Sequence, residues 1–152
     1  MPEQRFSGYR SSSCSHVVVR PCGVCQSVGR GQLLGEDIQD RGFRPDLICG
    51  PAIGGVIRVQ YVALALKARC VFAERVFDDA GKTERFEIKR GYDEIVRDQS
   101  VLIVDDVVNT GFSVRLAYEA VVQSGGHSMG FAAYVNRGNV GAVDLGVENF
   151  IF

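Results

Sequence analysis

The chain has 152 residues, 46% hydrophobic and 23% charged, the size and make-up of one globular domain, which excludes disorder and collagen-like repeats. A net charge of −1 removes any bulk electrostatic case for a nucleic-acid partner. The longest apolar stretches, such as Val62–Leu66, fall far short of the ~20 residues a membrane span needs. No signal peptide is legible, because Glu3, Arg5 and Arg10 interrupt the N-terminus where an apolar segment would lie. Five cysteines, an odd number, argue against a disulfide framework, so the expected compartment is the cytoplasm. Glycine is high, at 18 of 152 residues, roughly 12% against a usual ~7%. That excess suits a chain whose backbone must approach a ligand closely.

The first 15 residues are polar and serine-rich and read as a poorly ordered arm. His16-Val17-Val18-Val19 follows as a short β-branched strand. Cys22 and Cys25 have zinc-knuckle spacing, but a structural zinc needs a second pair or added histidines, and only His16 is near. Residues 31–40 form a helix with Leu33, Leu34 and Ile38 at helical spacing, and Gly42 stops it. Asp46–Cys49 is an apolar strand that ends in Gly50-Pro51. A second helix opens at Gly54 or Gly55 and runs to Lys67, and Cys70–Ala73 is the next strand. Cys49 and Cys70, lying in apolar runs, read as small core residues.

From Glu74 to Arg97 the chain is dense in charge, with a turn at Ala80-Gly81. It reads as an exposed β-ribbon or long loop; most such runs are merely solvated hairpins. Val101–Val104 is a fully apolar strand closed by Asp105-Asp106. An amphipathic helix over 111–123 ends at Gly125-Gly126, and Ser128–Val135 is the last predicted strand, before a tail ending Phe150-Ile151-Phe152. Apolar strands alternating with helices, with no internal linker, predict a single α/β domain over 1–152: a Rossmann-like parallel sheet with helices on both faces. In such sheets ligands bind beyond the carboxyl ends of the strands.

Beyond one such end lies the chemistry. After the strand come Asp105 and Asp106, then Val107, Val108, Asn109, Thr110, Gly111, Phe112 and Ser113 at the start of a helix. Unpaired amides at a helix N-terminus attract an anion. Thr110 and Ser113 add hydroxyls, and Gly111 permits close approach. Carboxylates cannot bind phosphate but suit hydroxyls or metal-bound water. The pattern therefore describes a ligand with a phosphate at one end and sugar hydroxyls close by. A bare strand–loop–helix with solvated acids is the bland alternative. A receiver domain fails, because only 46 residues follow Asp106 and every lysine precedes it.

This segment resembles the motif with which type I phosphoribosyltransferases bind 5-phosphoribosyl 1-diphosphate (PRPP). Cys49 and the residues Gly50, Pro51, Ala52, Ile53, Gly54 and Gly55, about 50 residues earlier, are similar to that family's pyrophosphate loop. The charged stretch lies where the family keeps a flexible catalytic loop, so Arg75, Lys82, Lys89 and Arg90 are its candidate phosphate-neutralising cations. Within the family, Phe72–Arg75, Lys89–Tyr92, the acidic motif and Tyr134–Gly138 most resemble orotate phosphoribosyltransferases in order and spacing. The resemblance covers about Asp46 to Glu148.

It implies transfer of the phosphoribosyl group to a base, with orotate giving orotidine 5′-phosphate in pyrimidine biosynthesis. Asp105 and Asp106 would hold the ribose hydroxyls, the 107–113 segment would bind the 5-phosphate, and Asn109 and Arg137 would meet the base. Mg²⁺ would arrive with PRPP through water, without direct protein ligands, and the enzyme would be a homodimer with no nucleic-acid or membrane partner. Two features depart from the family: Asn109 stands at a usual threonine, and Gly54 where many members carry lysine. The alternatives are a phosphoribosyltransferase for another base, as in purine salvage, and a non-catalytic PRPP- or nucleotide-sensing regulator of the same fold.

Overall fold

The computed structural model describes residues 23–78 and 84–152. The serine-rich arm, the His16–Val19 strand, Cys14, Cys22, the Ala80-Gly81 turn and Lys82 lie outside them, as does the side chain of Cys25.

The elements run α1 (Gly23–Asp40), β1 (Leu47–Pro51), α2 (Val56–Leu66), β2 (Arg69–Phe77), β3 (Glu84–Glu87), α3 (Tyr92–Val96), β4 (Ser100–Val108), α4 (Phe112–Gln123), β5 (His127–Asn136), α5 (Ala142–Leu145) and β6 (Phe150–Ile151). The strands form one six-stranded sheet in the order β3-β2-β1-β4-β5-β6. All neighbours are parallel except β2 and β3, which make the expected antiparallel ribbon, with Arg75 opposite Phe86.

Alternation along β4 assigns the two faces. Val101 and Ile103 join the cluster under α4, with Phe131, Val114, Ala117 and Val121. Leu102 and Val104 join the opposite cluster under α1 and α2, with Ile38, Val59 and Val62. Each fully buried branched or aromatic side chain of this kind contributes roughly 1.5–3 kcal/mol, so both helical layers are held to the sheet by packing. Cys49 is fully buried and its thiol is pushed up to about 12 by desolvation. Cys70 packs against the α1–α2 cluster. No helix among the described residues is long and apolar enough to cross a membrane.

Several boundaries differ from expectation. The first helix begins at Gly23, eight residues before the apolar spacing starts, and Leu33 points outward at 67% exposure while Leu34 and Ile38 are buried. The ribbon stretch holds a short helix, α3, whose Val96 is fully buried. Asp105-Asp106 does not close β4: the strand continues through Val108, paired with Asn136 of β5. The tail also folds back, with α5 and an edge strand paired to Phe131-Ala132.

Candidate functional site

The chain goes from β1 outward to β2 on one side, and from β4 outward to β5 on the other. The crevice beyond the carboxyl ends of β1 and β4 is therefore the topological switch point, where a doubly wound sheet leaves room for a ligand. Two loops flank it, residues 52–55 before α2 and residues 109–111 before α4. Cys49 is level with Ile103, so the two strands deliver their loops at the same height.

The acid pair stands between them. Asp105 is 8% exposed, and its Oδ1 accepts the amide of Asp106 at 2.8 Å. Burial raises its carboxyl to about 6; the neighbouring Asp106 charge adds to the rise, and the Asp106 amide and the Arg58 charge oppose it. Asp106 faces the α2 side. Its Oδ1 accepts the Val107 amide at 2.7 Å, and its Oδ2 accepts a guanidinium hydrogen of Arg58 at 2.5 Å. The glycines opposite are close: a Cβ on Gly55 would lie 3.3 Å from Asp105 Oδ1, and one on Gly54 3.9 Å from an Asp106 oxygen.

Not all of the first loop is accessible. Gly50 and Pro51 end β1 and are buried. A Cβ on Gly50 would meet Val59 Cγ2 at 2.3 Å, so this glycine lets α2 pack on the sheet rather than meeting a ligand. Ala52 donates its amide to the Ala73 carbonyl at 2.8 Å, and the Ala52–Ile53 peptide is cis. Ile53 and Gly54 are exposed.

Beyond Asp105 the second loop encloses a hollow of about 90 Å³, lined by Asp105 and the run Val107–Val114. Gly111, at φ +77, is the N-cap of α4 and makes no side-chain cap bond. The first amides of a helix have no intrahelical acceptor. Thr110 Oγ1 accepts the Phe112 amide at a long 3.4 Å. The hollow therefore combines small size, helix-start amides and two hydroxyl residues, which suits a phosphoryl group. Arg137 and Gly138 fold onto the same segment, their amides donating to the Val108 carbonyl at 2.8 and 3.2 Å, and the Arg137 side chain is exposed there.

The charged ribbon forms the far wall. Arg75 and Arg90 line a larger cleft with Ala52, Ile53, Phe72 and Glu74. Arg75 Nε is 2.8 Å from Glu84 and Arg90 Nε 2.7 Å from Glu74. Lys89 is not in that wall; its ammonium is 3.3 Å from Glu87. Of the expected residues, the crevice thus gathers Asp105, Asp106, the 107–113 segment, Ala52–Gly55, Arg75, Arg90 and the backbone of Arg137. Arg58 and Glu74 are additions. Helix spacing gave no reason to aim Arg58 at a carboxylate 48 residues away.

The site has a cost in stability with a definite pH dependence. Asp105 sits at about 6 in the fold against its usual 3.8, so the folded chain holds its proton over that interval where the unfolded chain does not. Stability from this group is present in full below 3.8 and is lost as pH rises through 6, by about 3 kcal/mol at most. Asp105→Asn, which keeps an acceptor for the Asp106 amide, is expected to melt higher than the wild type at pH 7.5. That advantage should vanish near pH 4, and denaturant melts at the two pH values check it.

The chain is similar to known proteins in sequence and in fold. The phosphoribosyl transferase domain model matches residues 31–146. The orotate phosphoribosyltransferase of Pelotomaculum thermopropionicum is 45% identical over 127 residues, covering 82% of this chain and 63% of that protein. That of Caldanaerobacter subterraneus subsp. tengcongensis is 39% identical over 107 residues, covering 70% of this chain and 52% of the relative. The chain thus spans only about half to three-fifths of the length of these curated relatives. Among solved structures, the adenine phosphoribosyltransferase of Thermoanaerobacter pseudethanolicus superposes with a TM-score of 0.64 at 21% identity, covering 81% of this chain and 76% of the other; at that identity the likeness concerns the fold.

Proposed function

The chain belongs to the phosphoribosyl transferase family, and from that premise we propose that it transfers the 5-phosphoribosyl group of PRPP to orotate, releasing diphosphate. The observation that carries this reading is the pairing of Asp105 and Asp106 with an amide-lined hollow directly beyond them. The curated relatives named above favour orotate as the base. The whole of 1–152 is taken as one catalytic domain, in a cytoplasmic enzyme of pyrimidine nucleotide synthesis.

In the reaction the bond from the anomeric carbon to the diphosphate oxygen breaks. A bond to a base nitrogen forms, and that nitrogen's proton is given up. Positive charge grows on the ribose ring, so catalysis is a matter of position and electrostatics. Asp105 and Asp106 bind the ribose 2- and 3-hydroxyls and place two negative groups beside the ring. The 107–113 segment anchors the 5-phosphate, and residues 52–55 offer backbone to the diphosphate. Arg75 and Arg90 reach the same cleft. Arg90 gives up an exposed ion pair worth about 0–1 kcal/mol, and Arg75 its pairing with the largely buried Glu84, for charge-assisted bonds to the leaving group. Asn109 and Arg137 meet the base, for which a guanidinium fork suits the carbonyl and carboxylate oxygens of orotate.

Among the described residues no cluster of three or more acidic, histidine or cysteine side chains could hold a metal, and Asp106 is already engaged by Arg58. Asp105 and Asp106 are the carboxylates that would stand nearest to Mg²⁺ brought in with PRPP, a hard cation that favours oxygen donors and keeps several waters. When bound, Mg²⁺ would supply positive charge to offset the negative charge of the leaving diphosphate. We take the enzyme to be a homodimer, for which exposed Ile53 and Ile57 supply apolar surface. Its net charge of −1 supports no nucleic-acid partner.

Diphosphate release from PRPP with orotate, adenine, hypoxanthine and uracil tests the reading. Release with orotate alone is expected. Purine turnover would assign a salvage enzyme instead, and tight PRPP binding without release for any base would make the protein a sensor. In the same assay Arg137→Ala is expected to raise KM for the base about tenfold or more, with KM for PRPP within about twofold. Equal effects on both would remove Arg137 from the base site.

A further inference from the structure

The ion pair between Arg58 and Asp106 joins the start of α2 to the end of β4 beside the crevice, and Arg58 belongs to none of the motifs that located it. Arg58 lies in the first turn of α2, just after the Gly54-Gly55 turn, and Asp106 lies near the end of β4. Arg58 is held from a third element as well: its carbonyl accepts the hydroxyl of half-buried Tyr134 on β5 at 3.3 Å. Asp106 needs such a partner. Its side chain is 29% exposed and follows directly on a second carboxylate. Without a cation it would repel Asp105 and be held by the Val107 amide at one oxygen alone. Residues 50–55 contain no lysine or arginine, so they do not supply one.

We infer that Arg58 is a positioning residue for the pentose: its guanidinium, at 2.5 Å from Oδ2, fixes the Asp106 carboxylate in the orientation that receives a ribose hydroxyl. The inference rests on the function proposed above, with ribose 5-phosphate as the common part of substrate and product. One Asp106 oxygen is taken by the Val107 amide and the other by Arg58. An ionised carboxylate has about four acceptor positions, so a hydroxyl joins these bonds without displacing them. Arg58 is thus part of the frame that presents the acid, and its effect on ligand passes through Asp106.

A double-mutant cycle distinguishes this role from a general charge effect. Calorimetric titration of ribose 5-phosphate, and separately of inorganic diphosphate with Mg²⁺, is run on the wild type, R58Q, D106N and the double variant. R58Q is expected to weaken ribose 5-phosphate about tenfold and to leave diphosphate within about twofold. In the D106N background R58Q should cost less than about twofold more, because the group it positions is gone. R58K, which keeps the charge without the planar fork, should recover part of the loss; R58M, which keeps an unbranched stem without the charge, replaces R58Q in the cycle if that variant does not fold. Independent, additive losses would overturn the inference, as would a loss of diphosphate affinity equal to that of ribose 5-phosphate. A wild type that binds no ribose 5-phosphate would overturn the proposed function along with the role of Arg58. A wild type that binds normally beside an unaffected R58Q would overturn the role of Arg58 alone.

Discussion

Changing Asp105 and Asp106 together to asparagine is expected to abolish measurable PRPP binding while the protein stays folded. Each acid offers a charged acceptor to a hydroxyl, and a hydrogen bond of that kind is worth about 1.5–3 kcal/mol. Losing both removes about 3–6 kcal/mol, a factor of roughly 10² to 10⁴ in Kd. Asparagine keeps the shape and one acceptor, so the Asp106 and Val107 amides that now bond to these carboxylates remain served. The double variant should not melt below the wild type at neutral pH, because the buried Asp105 charge costs stability there. Calorimetry with PRPP beside a thermal melt reads both quantities. Wild-type affinity in a folded double variant would show that the acids do not hold the sugar.

Gly138→Ala is expected to be nearly as damaging, through the backbone. A methyl group on Gly138 would stand 1.6 Å from the Asn109 carbonyl oxygen and 2.5 Å from its carbon. Neither is the end of a side chain that can swing away. The segments are also tied, since the Arg137 and Gly138 amides both donate to Val108. The added methyl must therefore push the 108–109 backbone, and with it the wall of the phosphate hollow. Overpacking of this kind costs about 1–3 kcal/mol of stability. Displacing a binding loop by an ångström costs about 10²-fold in turnover. A fall of about that size in kcat/KM is expected, with a lowered Tm. Gly141→Ala is the control: its Cβ would meet only Asp144 Oδ2, at 3.6 Å, and the backbone is extended at φ −102. Activity of the control should stay within about twofold. Equal losses in the two variants would mean that the tail loop tolerates no side chain anywhere, and that the Asn109 contact is not the cause.

Much of this site was legible because its determinants are consecutive in the chain. The run from Val101 to Ser113 carries strand, acids, loop and helix start together. The order of apolar runs likewise placed β1, β2, β4 and β5. The remainder depends on partners far along the chain. Leu33 has the spacing of a core residue but lies outside the stripe that α2 covers. The continuation of β4 past the acids follows from pairing with Val135 and Asn136 on β5. Gly50 looked like a ligand-facing glycine, and only the packing of Val59 explains it. Arg58 carries no local signal at all, because its meaning comes from a carboxylate on another strand. Short elements such as α3, α5 and β6 are held by tertiary burial, as Val96, Leu145 and Ile151 show, and such burial has no period to read.

The proposed chemistry requires one arrangement: sugar hydroxyls at Asp105 and Asp106, phosphate in the hollow before α4. A crystal structure with ribose 5-phosphate tests it most directly. It should show both hydroxyls within hydrogen-bond distance of the two carboxylates and the phosphate among the amides of residues 108–113. A ligand seated elsewhere, with that crevice empty, would contradict it.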